Sequence, residues 1–536
     1  MHAHLHPMQE HMMSPRPTFL GLPRELRDMI YRFYVAVDKG YVYNFQSGKL
    51  RTADGRPIDY ALMMTCRLVA CEMRGIALTT NTITFAASAS YSDQMRPTAA
   101  RFDQVLRVLH TIEGKMLHSI KPWLRAVPEL MRNAASDYPQ FAPVAEVMLS
   151  EEPVLDDQGY SVCYWDHLEC RCDYWLPSVY RQAIRRVLQN AASHDPLRFC
   201  KLAPYKKTVI DPFAVLDAGS RYPAWFIPTE DQVDDIVNIF LPPSYENRDQ
   251  HRRQDVISRQ YWVDNDSSKY YFSAAAAAIR FLTSLKPIVR LHVRSIILQE
   301  DRASVAIPAR HAQGLIPFCR ANRRLHIERR VTLLGAMVLS HQLLPAETLL
   351  EDRDMWRGHP LKARDVCTPV AIWLAETLAL GPAGMPTGSF SLIIEGGDSC
   401  AELFRHVLRR DAAFQEAIDL AVCRKLVSVP HGYQALAMLD PWVEASFPQG
   451  MRSMTNADGN ALIRCTFDAG EPWDIEAMIE ARSNWSMRDW NRDMWCYPAH
   501  ILEVDVTGLD RSTALRDQES WLAILREHVI GAEDSS

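Results

Sequence analysis

"SAAAAAIRFLTSLKPIVRLHVRSIILQEDRASVAIPARHAQGLIPFCRANRRLHIERRVTLLGA", residues 273–336, is the stretch whose reading decides the fold. It opens with an alanine-rich helix (273–285) that stops before Pro287, and then turns β-branched and alternating over 290–300. A short helix over 309–322 and a second strand over 325–336 follow. The same alternation returns downstream: a helix over 367–380, a strand over 388–397 and a helix over 399–410. Helix and strand in turn predict βα units on a common sheet, with an open α/β layer as one candidate. A leucine-rich solenoid would add a fixed period, and none is clear.

Upstream, 94–150 and 175–192 read as helical, while 201–268 is a loop-rich region of prolines, aspartates and serines. The first hundred residues carry the best-specified single helix, "LPRELRDMIYRFYV" (22–35). Gly21 and Pro23 mark its start. Its apolar residues Leu22, Leu26, Met29, Ile30, Phe33 and Tyr34 recur every three or four positions, continuing to Val37. Arg24, Asp28 and Arg32 form a run of opposite charges at i,i+4. A second helix, "DYALMMTCRLVACEMRGIAL" (59–78), has Asp59 as its cap, and a hairpin is expected between the two. "TTNTITFA" (79–86) reads as a strand.

Taken in order, "LPRELRDMIYRFY", "TCRLVACE" and "NTITF" resemble the F-box-like domain of a group of fungal proteins, whose pattern is roughly LPxElRxxIY, TCRxxxxE and NxxxF. The resemblance covers about residues 18–90, and the 284–331 stretch also resembles a segment of the same group. It implies a substrate receptor of a cullin–RING (SCF-type) ubiquitin ligase. Leu22, Pro23, Leu26 and Ile30 would face a Skp-type adaptor protein in the helix-in-groove mode. The competing reading makes the same stripe the core of a helical subdomain, in a structural or regulatory scaffold unrelated to ubiquitination.

The expected fold is therefore α+β: a tail over 1–17, an F-box-like helical module over 18–92, a helical middle with loop over 93–270, and a mixed α/β body over 271–536. With 48% hydrophobic and 23% charged residues the chain is globular in composition. A net charge of −6 gives no general attraction to nucleic acid or to anionic membrane. No apolar run approaches the roughly 20 residues of a membrane span, and no apolar leader stands at the start. The expected location is the cytoplasm or nucleus, and the expected partners are the adaptor and a target protein, with no nucleic acid and no membrane.

Other constellations carry less. Cys163, His167, Cys170 and Cys172 offer zinc-ligand types, but Cys170 and Cys172 are one residue apart and no second ligand pair follows at finger spacing. His2, His4, His6 and His11 sit in a tail that would lose much freedom on binding a metal. "EGGDSC" (395–400) runs from strand to helix without a Walker lysine or a nucleophile elbow. The arginines 320, 323, 324, 329 and 330 are split between strand faces and read as solvated. His311 and Cys319 lack an orienting carboxylate motif. Trp473, Trp485, Trp490 and Trp495 read as a local core in preference to an interface anchor. No cofactor and no catalytic set is expected.

Overall fold

The alternating segments form adjacent parallel strands in the computed structural model, which describes residues 18–150, 176–202, 210–240, 267–341, 363–428, 446–454, 461–490 except 488, and 521–530 except 522. Among these residues one seven-stranded sheet runs through the chain in the order β2-β1-β3-β4-β5-β6-β7. The strands are β1 (Tyr41–Asn44), β2 (Lys49–Thr52), β3 (Ile83–Ala86), β4 (Ser295–Glu300), β5 (His326–Thr332), β6 (Phe390–Glu395) and β7 (Ile463–Cys465). Only β1 and β2 pair antiparallel, as the expected hairpin; every other neighbour is parallel. The molecule thus mixes helices with one mainly parallel sheet. Three strands from 18–92 and four from 271–536 belong to that same sheet.

Parallel strands laid down in sequence order, with right-handed connections, return every crossover to the same face. Burial follows this rule. Ile83, Phe85, Ile296, Leu298, Ile327, Val331, Leu392 and Ile394 point into one continuous core with the helices. The opposite face carries Lys49, Arg51, Gln299 and His326 exposed, with Thr84, Glu328, Arg330, Glu395 and Arg464 half-buried. On it Arg330 pairs with Glu328 at 2.6 Å and with Glu395 at 3.2 Å, and Arg464 reaches Glu328 at 3.5 Å. The period-two alternation of β4 and β5 records that one face is turned to this core, whereas in β6 Ser391 and Ile393 are buried on the other face as well.

The long connection from β3 to β4 holds the helical middle. Helix Arg96–Ser119 buries Phe102, Leu106, Leu109 and Met116, and helix Ser178–His194 packs Ile184, Val187 and Leu188 beside it. Arg185 ties the two through Glu113 at 2.6 Å. Ser178 donates to Glu376 from both its backbone N–H and its hydroxyl, each at 2.6 Å, which binds the middle to the helix Ala363–Leu378 of the body. The helix expected over 399–410 continues through a π turn to Cys423. The helix expected over 59–78 is broken into Leu62–Met64, Arg67–Glu72 and Ile76–Thr80: the first break falls at the extended Cys66, and the second at Gly75, which adopts φ +78° where a Cβ would strike the His292 ring at 2.3 Å. No helix among the described residues is long and apolar enough to cross a membrane.

Candidate functional site: the first helical module

Helix α1 (Arg24–Val35) lies on two short helices, α2 (Arg67–Glu72) and α3 (Ile76–Thr80). The core between them is small: Tyr31, Val35, Val69 and Met73, with Phe19, Tyr34, Leu62 and Ile76 at its edge. A charged cluster closes it. Glu72 accepts from Arg27 Nη2 at 2.6 Å, from Arg27 Nε at 3.0 Å and from the Tyr31 hydroxyl at 2.7 Å, and pairs with Arg24 at 3.0 Å. These bonds, the Arg27 ones first, hold the Glu72 carboxyl down at about 2. At the far end of α1, Asn81 donates to the Val35 carbonyl at 2.8 Å and accepts from Val37 N–H at 2.9 Å. Arg27, Tyr31, Glu72 and Asn81 are all residues of the three sequence motifs, and here they meet.

With Arg27, Tyr31 and Val35 turned inward, the apolar stripe faces out. Leu26 is 45% exposed, Met29 55%, Ile30 39% and Phe33 80%. Pro23 is exposed as well and Leu22 is half-buried. Of the four expected docking residues, Leu26 and Ile30 are exposed on α1 while Leu22 and Pro23 precede it, and none belongs to a buried cluster. Tyr60, Met64 and Leu68 of the same module are exposed too. Asp59 accepts from Ala61 N–H at 2.8 Å but caps no helix, since the first short helix begins at Leu62 behind Ala61; Arg24 and Asp28 pair at 2.8 Å as expected.

Comparison with family models, with curated proteins and with solved structures gave no match. The site therefore stands on its own geometry.

The remaining candidates resolve into structural roles where they are described. Among the described residues no group of three or more His, Cys, Asp or Glu side chains could hold a metal ion. Cys163, His167, Cys170 and Cys172 lie outside the described residues, as do the N-terminal histidines and Trp495. Cys319 is fully buried and its thiol is pushed up to about 12, so it stays protonated. His311 faces Ser273 instead: the Ser273 hydroxyl lies 2.6 Å from its Nδ1, and its Nε2 is 2.7 Å from the Ala306 carbonyl. Burial lowers His311 to about 3, so the ring is neutral, donating from Nε2 and accepting at Nδ1. Ser273 also caps the helix Ala274–Ser284 by accepting from Ala276 N–H at 2.9 Å. Serine and histidine at this distance could form a nucleophile and base, yet both are buried to within 1% of full closure and every ring nitrogen is spent. A cavity of about 10 Å³, lined by Ile307, Pro308, Met337 and Trp373 among others, is room for about one water.

Arg329, read from sequence as solvated, is the largest correction. It is 1% exposed, pairs with Glu300 on the neighbouring strand at 2.8 Å and lies over Trp373 at 4.4 Å. Glu300 completes its shell with Ala274 and Ala275 N–H at 3.0 and 3.2 Å, so the pair plugs a helix N-terminus into the sheet. Sequence alternation puts Arg329 on the core face but cannot show its partner. Trp490 is buried with Phe414 and Ile479 in a small second core, whereas Trp473 is 43% exposed.

Proposed function

We propose that the chain is a non-enzymatic protein-interaction adaptor, and that α1 docks it onto a Skp-type adaptor of an SCF-type ubiquitin ligase. The observation that carries this reading is the exposed stripe of Leu26, Met29, Ile30 and Phe33 on a helix whose other side is fixed by Glu72. Apolar anchors at helical spacing, held rigid and left wet, suit insertion into a partner's groove. Leu22 and Pro23 extend the face at the N-terminal end of the helix. On this reading the module is the ligase-facing end, the 271–536 body presents a target protein, and the complex works in the cytoplasm or nucleus.

The test is binding of the full chain to the Skp-type adaptor of its source organism, with wild type against Leu26→Asp/Ile30→Asp. Each buried anchor of this kind contributes about 2 kcal/mol or more, so the variant should bind at least about 30-fold more weakly with an unchanged circular dichroism spectrum. A wild-type chain that does not bind, or a folded variant that binds as well as wild type, overturns the proposal.

A further inference from the structure

The ends of β4 and β5 where the strands begin are built from two loops stitched side by side. Asn322 donates its amide to the carbonyls of Arg290 (3.2 Å) and Val293 (2.8 Å), and His326 N–H donates to the Arg294 carbonyl at 2.8 Å. Around this seam lie Lys286, Arg290 and Arg294 from the first loop and Arg320, Arg323 and Arg324 from the second. Arg74 is exposed in the first module, next to Gly75, which abuts His292. Segment 379–389 closes the other side, with Gly384 near Arg320.

The four segments 73–82, 283–294, 316–326 and 379–389 contain no aspartate or glutamate at all, in a chain whose net charge is −6. Arg74, Lys286, Arg290, Arg294, Arg320, Arg323 and Arg324 make no ion pair among the described residues, in contrast with the paired arginines of the sheet's open face. Arg294 is pushed down by burial and by Arg324 beside it, so like charges face each other. Two aliphatic side chains, Ile288 and Leu291, are exposed in the same loop, while the aromatic ring here, Phe318, is occupied beneath Arg290.

We infer that this strand-start edge is a docking surface for an acidic segment of another protein that carries aliphatic residues among its carboxylates. Unpaired guanidiniums at close quarters gain most from carboxylates, which they can grip with two parallel hydrogen bonds. Ile288 and Leu291 favour a peptide over a nucleic acid, whose single strands want open aromatic platforms. Naming this partner the target rests on the adaptor reading; its binding does not, since none of these basic or aliphatic side chains belongs to α1.

The test uses the full chain without any adaptor present, so that a failure of α1 docking and a failure of this edge are read separately. A fluorescein-labelled peptide of alternating Asp, Glu and Leu is titrated and followed by anisotropy. Saturable binding is expected, weakening about tenfold or more as salt rises from about 50 to 300 mM. Arg320→Glu/Arg324→Glu should weaken it about tenfold or more, and Arg323→Glu by a smaller factor. The distant pair Lys49→Glu/Arg51→Glu should leave it unchanged. Absence of saturable binding, equal loss in the distant pair, or tighter binding of a single-stranded RNA of the same charge overturns the inference.

Discussion

The first module and the sheet body solve the same problem in opposite ways. In the body most apolar side chains go inside and most charges outside, with Glu300 and Arg329 sealed in as a matched pair. In the module, Glu72 is buried with its arginine and tyrosine partners, and Leu26, Met29, Ile30 and Phe33 are left in water. Helix α1 commits Arg27, Tyr31 and Val35 to its own fold and leaves four large apolar side chains uncovered, the arrangement on which the docking proposal rests. The difference teaches that amphipathicity alone does not say which side is the inside.

The comparison breaks most sharply at the buried pair. Glu300→Ala leaves Arg329 without its carboxylate and should cost about 3 to 5 kcal/mol, read as a lower denaturant midpoint. Replacing both partners, as Glu300→Leu/Arg329→Met, should recover much of that loss, because no lone charge remains. If the single change is silent, the body is not organised around this pair.

Ser273→Ala comes next. It removes a helix cap and strips His311 Nδ1 of its donor, for an expected loss of about 1 to 2 kcal/mol in denaturant unfolding.

The module has its own acid response. Glu72 titrates near 2 in the folded chain and near about 4.3 when unfolded, so its contribution is complete above about 4.3 and is lost as pH falls from there toward 2. Hydrogen exchange of residues 24–35, corrected for the intrinsic rate, should show protection falling over that window in wild type. In Glu72→Gln protection should already be low at neutral pH and should vary less between pH 4.3 and 2.

The smallest expected effect is the most telling for function. Met29→Gln and Phe33→Ser should each change stability by less than about 0.5 kcal/mol, since neither side chain is covered. A thermal midpoint several degrees lower for either would put the stripe in a core and reverse the comparison.

Much of this architecture is legible in the amino-acid sequence. The alternation in "SIILQE" and "HIERRVT" announces strands with one dry face, and the strand-helix order announces a shared sheet. Strand β7 was not legible, because three residues carry no period. Periodicity found α1 but could not orient it, since the inward side is chosen by Glu72, more than forty residues away in sequence. The buried role of Arg329 was hidden for the same reason: its partners Glu300 and Trp373 come from other elements.

Strand β3 ends at Ala86 and its partner β4 begins at Ser295. At about 5 to 20 residues per second on the ribosome, β3 waits on the order of ten to forty seconds before a template for its open edge has been synthesised. During that interval β3 can pair with β1 on one side but has no strand on the other, so the nascent chain depends on the helical middle, or on a chaperone, to keep that edge from pairing with another polypeptide.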